Sequence, residues 1–243
     1  NRHLLKSLSF ELCNYNMNLN CGACISEAVM LLGNWLKKQG IDNDFRIRAL
    51  RGEFELKTIN LFVHVYDCGD DERQKELDFC LKRNKELNIN GVPYFNVIEI
   101  KDRLTFNQMF QMTLEYPDRI NIIANSDIFF DETILEVRYL RQNECLALSR
   151  WDYNNGGAVL FNRKDSQDAW VFNGAVKHNI GHYHLGIPGC DNKIVWELKQ
   201  AGYIVSNPSK TIHAIHLHNT QYRTYNKLTP KVPEPYHFIF PHH

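Results

Sequence analysis

The spacing of apolar positions changes character near residue 57. Before it, "LLKSLSFELC" (4–13) and "CISEAVMLLGNWLKKQG" (24–40) place apolar residues at helical intervals, the second stopping at Gly40. Residues 1–56 are therefore expected to form a small helical region of their own. From Thr58 onward, short β-type runs alternate with helical ones. The runs "INLFVHVYD" (59–67), "YFNVIEI" (94–100), "INIIA" (120–124) and "ECLALSR" (144–150) predict strands. Between them, "DDERQKELDFCLKRNKEL" (70–87) predicts a helix with Leu77, Cys80, Leu81 and Leu87 on its apolar stripe. "TFNQMFQMTLEY" (105–116) predicts a second, opened by Thr105 as N-cap, and "DETILEVRYLRQ" (131–142) a third. The β-α-β-α-β-α-β order predicts an α/β domain over residues 57–243, with a mainly parallel sheet and helices on both faces.

Ligands of such sheets collect at the carboxyl ends of the strands. Two of the predicted strands lead to carboxylates there, Asp67 after the first and Asp127 after the third, in "INIIANSDIFFDE" (120–132). An apolar run that ends on a carboxylate must leave it in water, pair it with a cation or give it a metal, because an unpaired buried charge is very costly.

Composition narrows the classes. Hydrophobic residues at 44% and aromatic residues at 12% are ample for a core, which sets disorder aside. Lys and Arg number 28 and so do Asp and Glu, so the basic excess of a general nucleic-acid binder is missing. The longest apolar stretch, "AVMLLGNWL" (28–36), is far short of the roughly 18 residues of a membrane span. The start has no signal-peptide apolar region and lacks Met, as expected of a trimmed chain, and His242-His243 are set aside as tag-like. Seven scattered Cys suit reduced thiols and a cytoplasmic location. Cys21 and Cys24 form one CxxC with Cys13 and His3 upstream; half a zinc site, a redox dithiol and buried thiols all remain readings of it.

Beyond Arg150 the chain is dense in chemistry-bearing residues. "GIPGCDNKIVWELKQAG" (186–202) is a turn-rich lead-in followed by a helix closed by Gly202, with Asp191 at the helix start. An N-cap is the commonest role of such an Asp, but it leaves the polar clusters around it unexplained. Taken in order, "ERQKELDFCLKRN", "INIIANSDIFFDETI", "ALSRWDY", "SQDAWVF", "GIPGCDNKI", "NPS" and "HLHN" with a following Arg and Tyr resemble the GT-A nucleotide-sugar glycosyltransferases. More narrowly, they resemble the small glycosyltransferases of large DNA viruses, of the chlorella-virus type, with their phage and bacterial relatives. The resemblance spans about residues 59–236, and residues 1–56 lie outside it.

That resemblance implies a GT-A-like, Rossmann-like mixed sheet and a set of roles. Asn125, Ser126 and Asp127 stand where the family has its DXD-type motif, with Asn125 replacing the first Asp. Asp127 would hold Mn2+ or Mg2+ against the donor's phosphates, completed by His216 or His218, which alternate and so share a strand face. Asp191 matches the catalytic base of the inverting enzymes, kept ionised at an ordinary carboxylate pKa by its helix start. Tyr66, Asp67 and Arg103 fit the nucleoside and diphosphate. Arg150, Trp151, Asp152, Asp168 and Trp170 fit sugar hydroxyls and ring faces, although Trp170 and Trp196 also suit a core, and Arg103 an exposed loop. The implied activity is transfer of a sugar, from a donor expected to be UDP-linked, to a hydroxyl of a glycan or other acceptor. The alternatives are a nucleotide- or carbohydrate-binding module without turnover, favoured by Asn125, and a transferase acting on a modified DNA base, disfavoured by the neutral charge. A nucleotidyltransferase would want a Gly-rich phosphate loop where "DCGDDE" stands.

Overall fold

The computed structural model describes residues 57–87, 94–154, 156–220, 222 and 228–243. All belong to the unit Lys57–His243. The helical region expected over 1–56, with its Cys13, Cys21 and Cys24, lies outside the described residues.

The fold is α/β. In chain order its elements are β1 (Ile59–His64), α1 (Asp71–Leu87), β2 (Phe95–Ile100), α2 (Phe106–Thr113), β3 (Ile120–Ala124) and β4 (Ile128–Phe130). A 3-10 helix (Glu132–Tyr139) follows, then β5 (Glu144–Leu148), β6 (Arg150–Asn154), β7 (Gly157–Leu160) and β8 (Ala169–Asn173). The last are α3 (Cys190–Gln200), β9 (Ile204–Ser206) and β10 (Ala214–His216). Six strands form the main sheet in the order β2-β1-β3-β8-β5-β9, and β4-β10-β6-β7 form a second one.

β3 is buried at all five positions, as its apolar run, broken only by Asn121, requires of a strand covered on both faces. Alternation sends its side chains two ways. Ile120 and Ile122 join Leu61, Leu87, Ile134 and Val137 beneath α1 and the 3-10 helix. Ile123 joins Phe62, Trp170, Phe106, Phe110, Ile194 and Leu198 beneath α2 and α3. Helices on both faces are thus as expected. So is the Thr105 cap of α2, which forms a capping box with Gln108.

The main sheet is mixed and mainly parallel, as expected, and one expected helix differs. β8 runs antiparallel between β3 and β5; the chain reaches it from the second sheet, at the carboxyl ends of the parallel strands, and must run back. Residues 132–139 wind as a 3-10 helix rather than an α-helix, Ile134 N–H bonding to the Asp131 carbonyl and Leu140 N–H to that of Val137. Cys68, Cys80, Cys145 and Cys190 are free and buried. No helix among the described residues is long and apolar enough to cross a membrane.

Candidate functional site

At the carboxyl ends of β1 and β3 lies a cavity of about 480 Å³, within the range that holds small ligands. Asn125-Ser126-Asp127 leave β3 there in a turn closed from Ile128 N–H to the Asn125 carbonyl at 3.2 Å. Ser126 Oγ donates to the His64 carbonyl at 2.7 Å, tying the turn to β1. Asn125 Nδ2 donates to Asp168 Oδ1 at 2.8 Å, so this Asn is fixed to the next carboxylate along the wall.

Asp127 is neither in open water nor alone. Its Oδ2 accepts from Arg73 Nη2 at 2.5 Å and lies 3.2 Å from His216 Nε2 and 3.4 Å from His218 Nδ1. Hydrogen bonds from the two histidines and the Arg73 charge hold its carboxyl well below the usual range despite burial. Burial lowers the His216 pKa and the Asp127 and Asp152 carboxylates raise it; the carboxylates win, to about 9. Pairing with a cation is therefore the state of Asp127 here. The cation, Arg73, is a site residue that the sequence reading missed. Its signal is nonetheless present: residues 73, 77, 80, 84 and 87 of α1 are the buried ones, a helical stripe beginning with a charged residue. A buried Arg on a sheet-facing stripe demands a carboxylate partner. Asn84 on the same stripe donates to the Ile128 carbonyl and accepts from Phe130 N–H, pinning α1 to β4.

Asp127, His216 and His218 bring one ligand atom each to within 4.8 Å of one another. Metal–ligand distances of about 2.0–2.2 Å place such atoms closer together, so a small rotation would close the set on an ion. Two imidazoles and a carboxylate suit Mn2+ or a neighbouring transition ion better than Mg2+, which favours oxygen ligands. The surroundings fit too. β10 sets His216 opposite Asp152 of β6, and His216 Nδ1 meets Asp152 Oδ1 at 2.9 Å, the outer carboxylate that commonly orients a ligating imidazole.

Asp191 also lines the cavity, from the first turn of α3. It is not the N-cap: Gly189 is, at φ 82° and with no side-chain hydrogen bond. Its Oδ1 instead accepts from Cys190 Sγ at 3.0 Å, and the Gln167 backbone also stabilises the charge. The expected ordinary pKa is corrected. Burial first, then the charge of Asp168, push the Asp191 carboxyl up to about 7. Dense packing round a carboxylate with only a partial opening to the cavity outweighs the helix start.

The other candidates divide. Tyr66, Arg103, Arg150 and Asp168 line the cavity. Tyr66 stacks on His64 with ring centroids 4.7 Å apart. Arg103 reaches the Leu185 carbonyl at 3.4 Å. Arg150 bridges Asp152 at 2.7 Å and Asp168 at 3.4 Å. Asp152 is engaged by His216 and Arg150 and is not among the residues that line the cavity. Three candidates lie elsewhere. Asp67 is exposed and uses its carboxylate to accept from Gly69 N–H at 2.9 Å, closing the turn into α1 beside a separate open depression. Trp151 falls on the face of β6 opposite to Arg150 and Asp152, its indole N–H donating to the Ser209 carbonyl at 2.7 Å. Trp170 is fully buried, edge-on to Phe106 at 4.8 Å, and belongs to the core. The loop 185–189, Ser166 and Tyr222 also line the cavity; Gly186–Gly189 and Ser166 fall within motifs quoted above, without a role assigned to them there. No protein-family model matches the chain, and no curated protein is significantly similar to it in sequence.

Proposed function

We propose that the unit 57–243 is a metal-assisted glycosyltransferase of the GT-A kind, moving a sugar from a nucleotide-sugar donor to an acceptor hydroxyl with inversion. The observation that carries this is one cavity lined both by a divalent-ion donor set, Asp127, His216 and His218, and by a carboxylate, Asp191, whose pKa burial and the nearby Asp168 raise to about 7. A divalent ion held there, preferably Mn2+, would supply positive charge against a departing diphosphate. Asp191 would accept the acceptor's proton as its oxygen bonds to the anomeric carbon and the bond from that carbon to phosphate breaks, releasing a nucleoside diphosphate. A carboxylate titrating near the working pH suits that task better than an ordinary one. Tyr66 stands where a base could stack. Arg150 and Asp168, joined on the cavity wall, offer a donor and an acceptor to sugar hydroxyls.

A binding module without turnover is the second reading. It is favoured by Asn125, whose amide is committed to Asp168 and brings no second carboxylate to the ion. Released diphosphate separates the two. With Mn2+ and a panel of UDP- and GDP-sugars, the transferase releases nucleoside diphosphate slowly to water even without its acceptor. Binding without any release, across the panel and with added sugar acceptors, would favour the module.

A further inference from the structure

Arg73 is only 4% exposed, and its guanidinium is bonded on three sides. Nη1 donates to the Leu217 carbonyl at 2.9 Å and to Glu76 Oε2 at 2.7 Å, while Nη2 donates to Asp127 Oδ2 at 2.5 Å. That single carboxylate oxygen also faces His216 Nε2 and His218 Nδ1, the atoms with which it would hold an ion. One oxygen therefore faces two rival cations. A guanidinium stays charged at any pH the protein survives, so it cannot yield by losing a proton.

We propose that Arg73 is the resident counter-ion of the metal site, competing with a divalent ion for Asp127 and making uptake of the bare ion weak. This rests on Asp127, His216 and His218 being the metal donors, and not on sugar transfer. A dication entering beside the guanidinium adds two charges at the one oxygen of Asp127 that Arg73 already uses, while Glu76 faces the guanidinium from its other side. At a few ångströms in a part-buried site, that repulsion is large. A diphosphate brought with the ion compensates it, so ion and diphosphate strengthen one another's binding reciprocally. Arg73 need not leave its helix to release Asp127. Glu76 and the Leu217 carbonyl still hold it, and Glu76 is itself anchored by the N–H groups of Asn219 and Thr220 at 2.8 and 3.1 Å.

The test titrates Mn2+ alone into the full chain and reads free Mn2+ by electron paramagnetic resonance, so no donor or acceptor is needed. Arg73→Gln keeps a donor for Leu217 and Asp127 but removes the charge; Arg73→Met removes both; Arg73→Lys keeps the charge. Thermal melts show which variants are folded, and Gln is the variant best fitted to survive. Charge competition predicts that the Gln and Met variants bind Mn2+ at least about tenfold more tightly than the parent, within the usual range of coupling between sites. The Lys variant stays within about threefold of the parent. Equal or weaker binding in Arg73→Gln overturns the proposal and leaves the metal site standing. Mn2+ uptake by none of the proteins at millimolar concentration overturns both.

Discussion

Asp191→Asn is expected to cut sugar transfer by about 10²–10⁴-fold, the usual contribution of a general base, and to make the protein harder to unfold at pH 8. The first effect follows from removing a proton acceptor while keeping its shape, since an Asn oxygen can still accept from Cys190. The second follows from the direction of the shift. Burial and Asp168 raise the folded-state pKa to about 7, above the unfolded value of about 3.9. A raised carboxyl favours the folded state fully below the unfolded pKa, and that advantage is lost as pH rises through the folded one. Above pH 7 the parent therefore carries an ionised, poorly solvated carboxylate, and the variant does not. Melting curves should nearly coincide at pH 4 and separate progressively towards pH 8, and the parent's transfer rate should climb with pH through about 7. A variant within about threefold of the parent's rate would reduce Asp191 to a structural residue.

Asp127→Asn should be damaging twice over. The charge that would hold the ion is gone, so Mn2+-dependent binding of a nucleoside diphosphate should be lost. Stability should fall as well. A solvent-facing Asp at a strand end would contribute little, but this one accepts from buried Arg73 and neighbours a His216 charged at neutral pH. Removing one partner of a buried pair costs about 3–5 kcal/mol because the other charge is stranded. Asn retains an acceptor for Arg73 and belongs at the lower end. The Asp127 carboxyl titrates well below 3.8, so its contribution is present above the unfolded value and lost only as pH falls through the folded one. Urea unfolding at pH 6–8 consequently reads the whole effect. A variant that keeps both the parent's midpoint and its Mn2+-dependent binding would show Asp127 to be peripheral.

Legibility in the sequence followed the physics of each element. β1 and β3 were readable because strands covered on both faces are almost continuously apolar, and α2 because Thr105 and Gln108 form a cap recognisable from spacing. β8 was not read as a strand, since its short run "AWVF" sits inside a segment dense in polar residues. β4 and β10, three residues each, are too short for a period to show. At the site, Asp127 stood out as a carboxylate ending an apolar run, whereas Asp191, His216 and His218 were picked out through the resemblance of the motifs around them. Arg73 was overlooked because the α1 stripe was begun one turn late, at Leu77. Strand alternation alone could have separated Trp151 from Arg150 and Asp152. The Asp191 pKa could not be read, because it depends on Asp168 and on packing contributed by distant parts of the chain.

The reading of the cavity as a metal-dependent site for the diphosphate of a nucleotide-sugar donor is tested most directly by calorimetric titration of UDP and of GDP into the full chain, once with Mn2+ and once with a chelator. The account predicts saturable, one-to-one binding of a nucleoside diphosphate with Mn2+, UDP preferred, falling at least about tenfold with the chelator. No binding of either diphosphate under both conditions would contradict it.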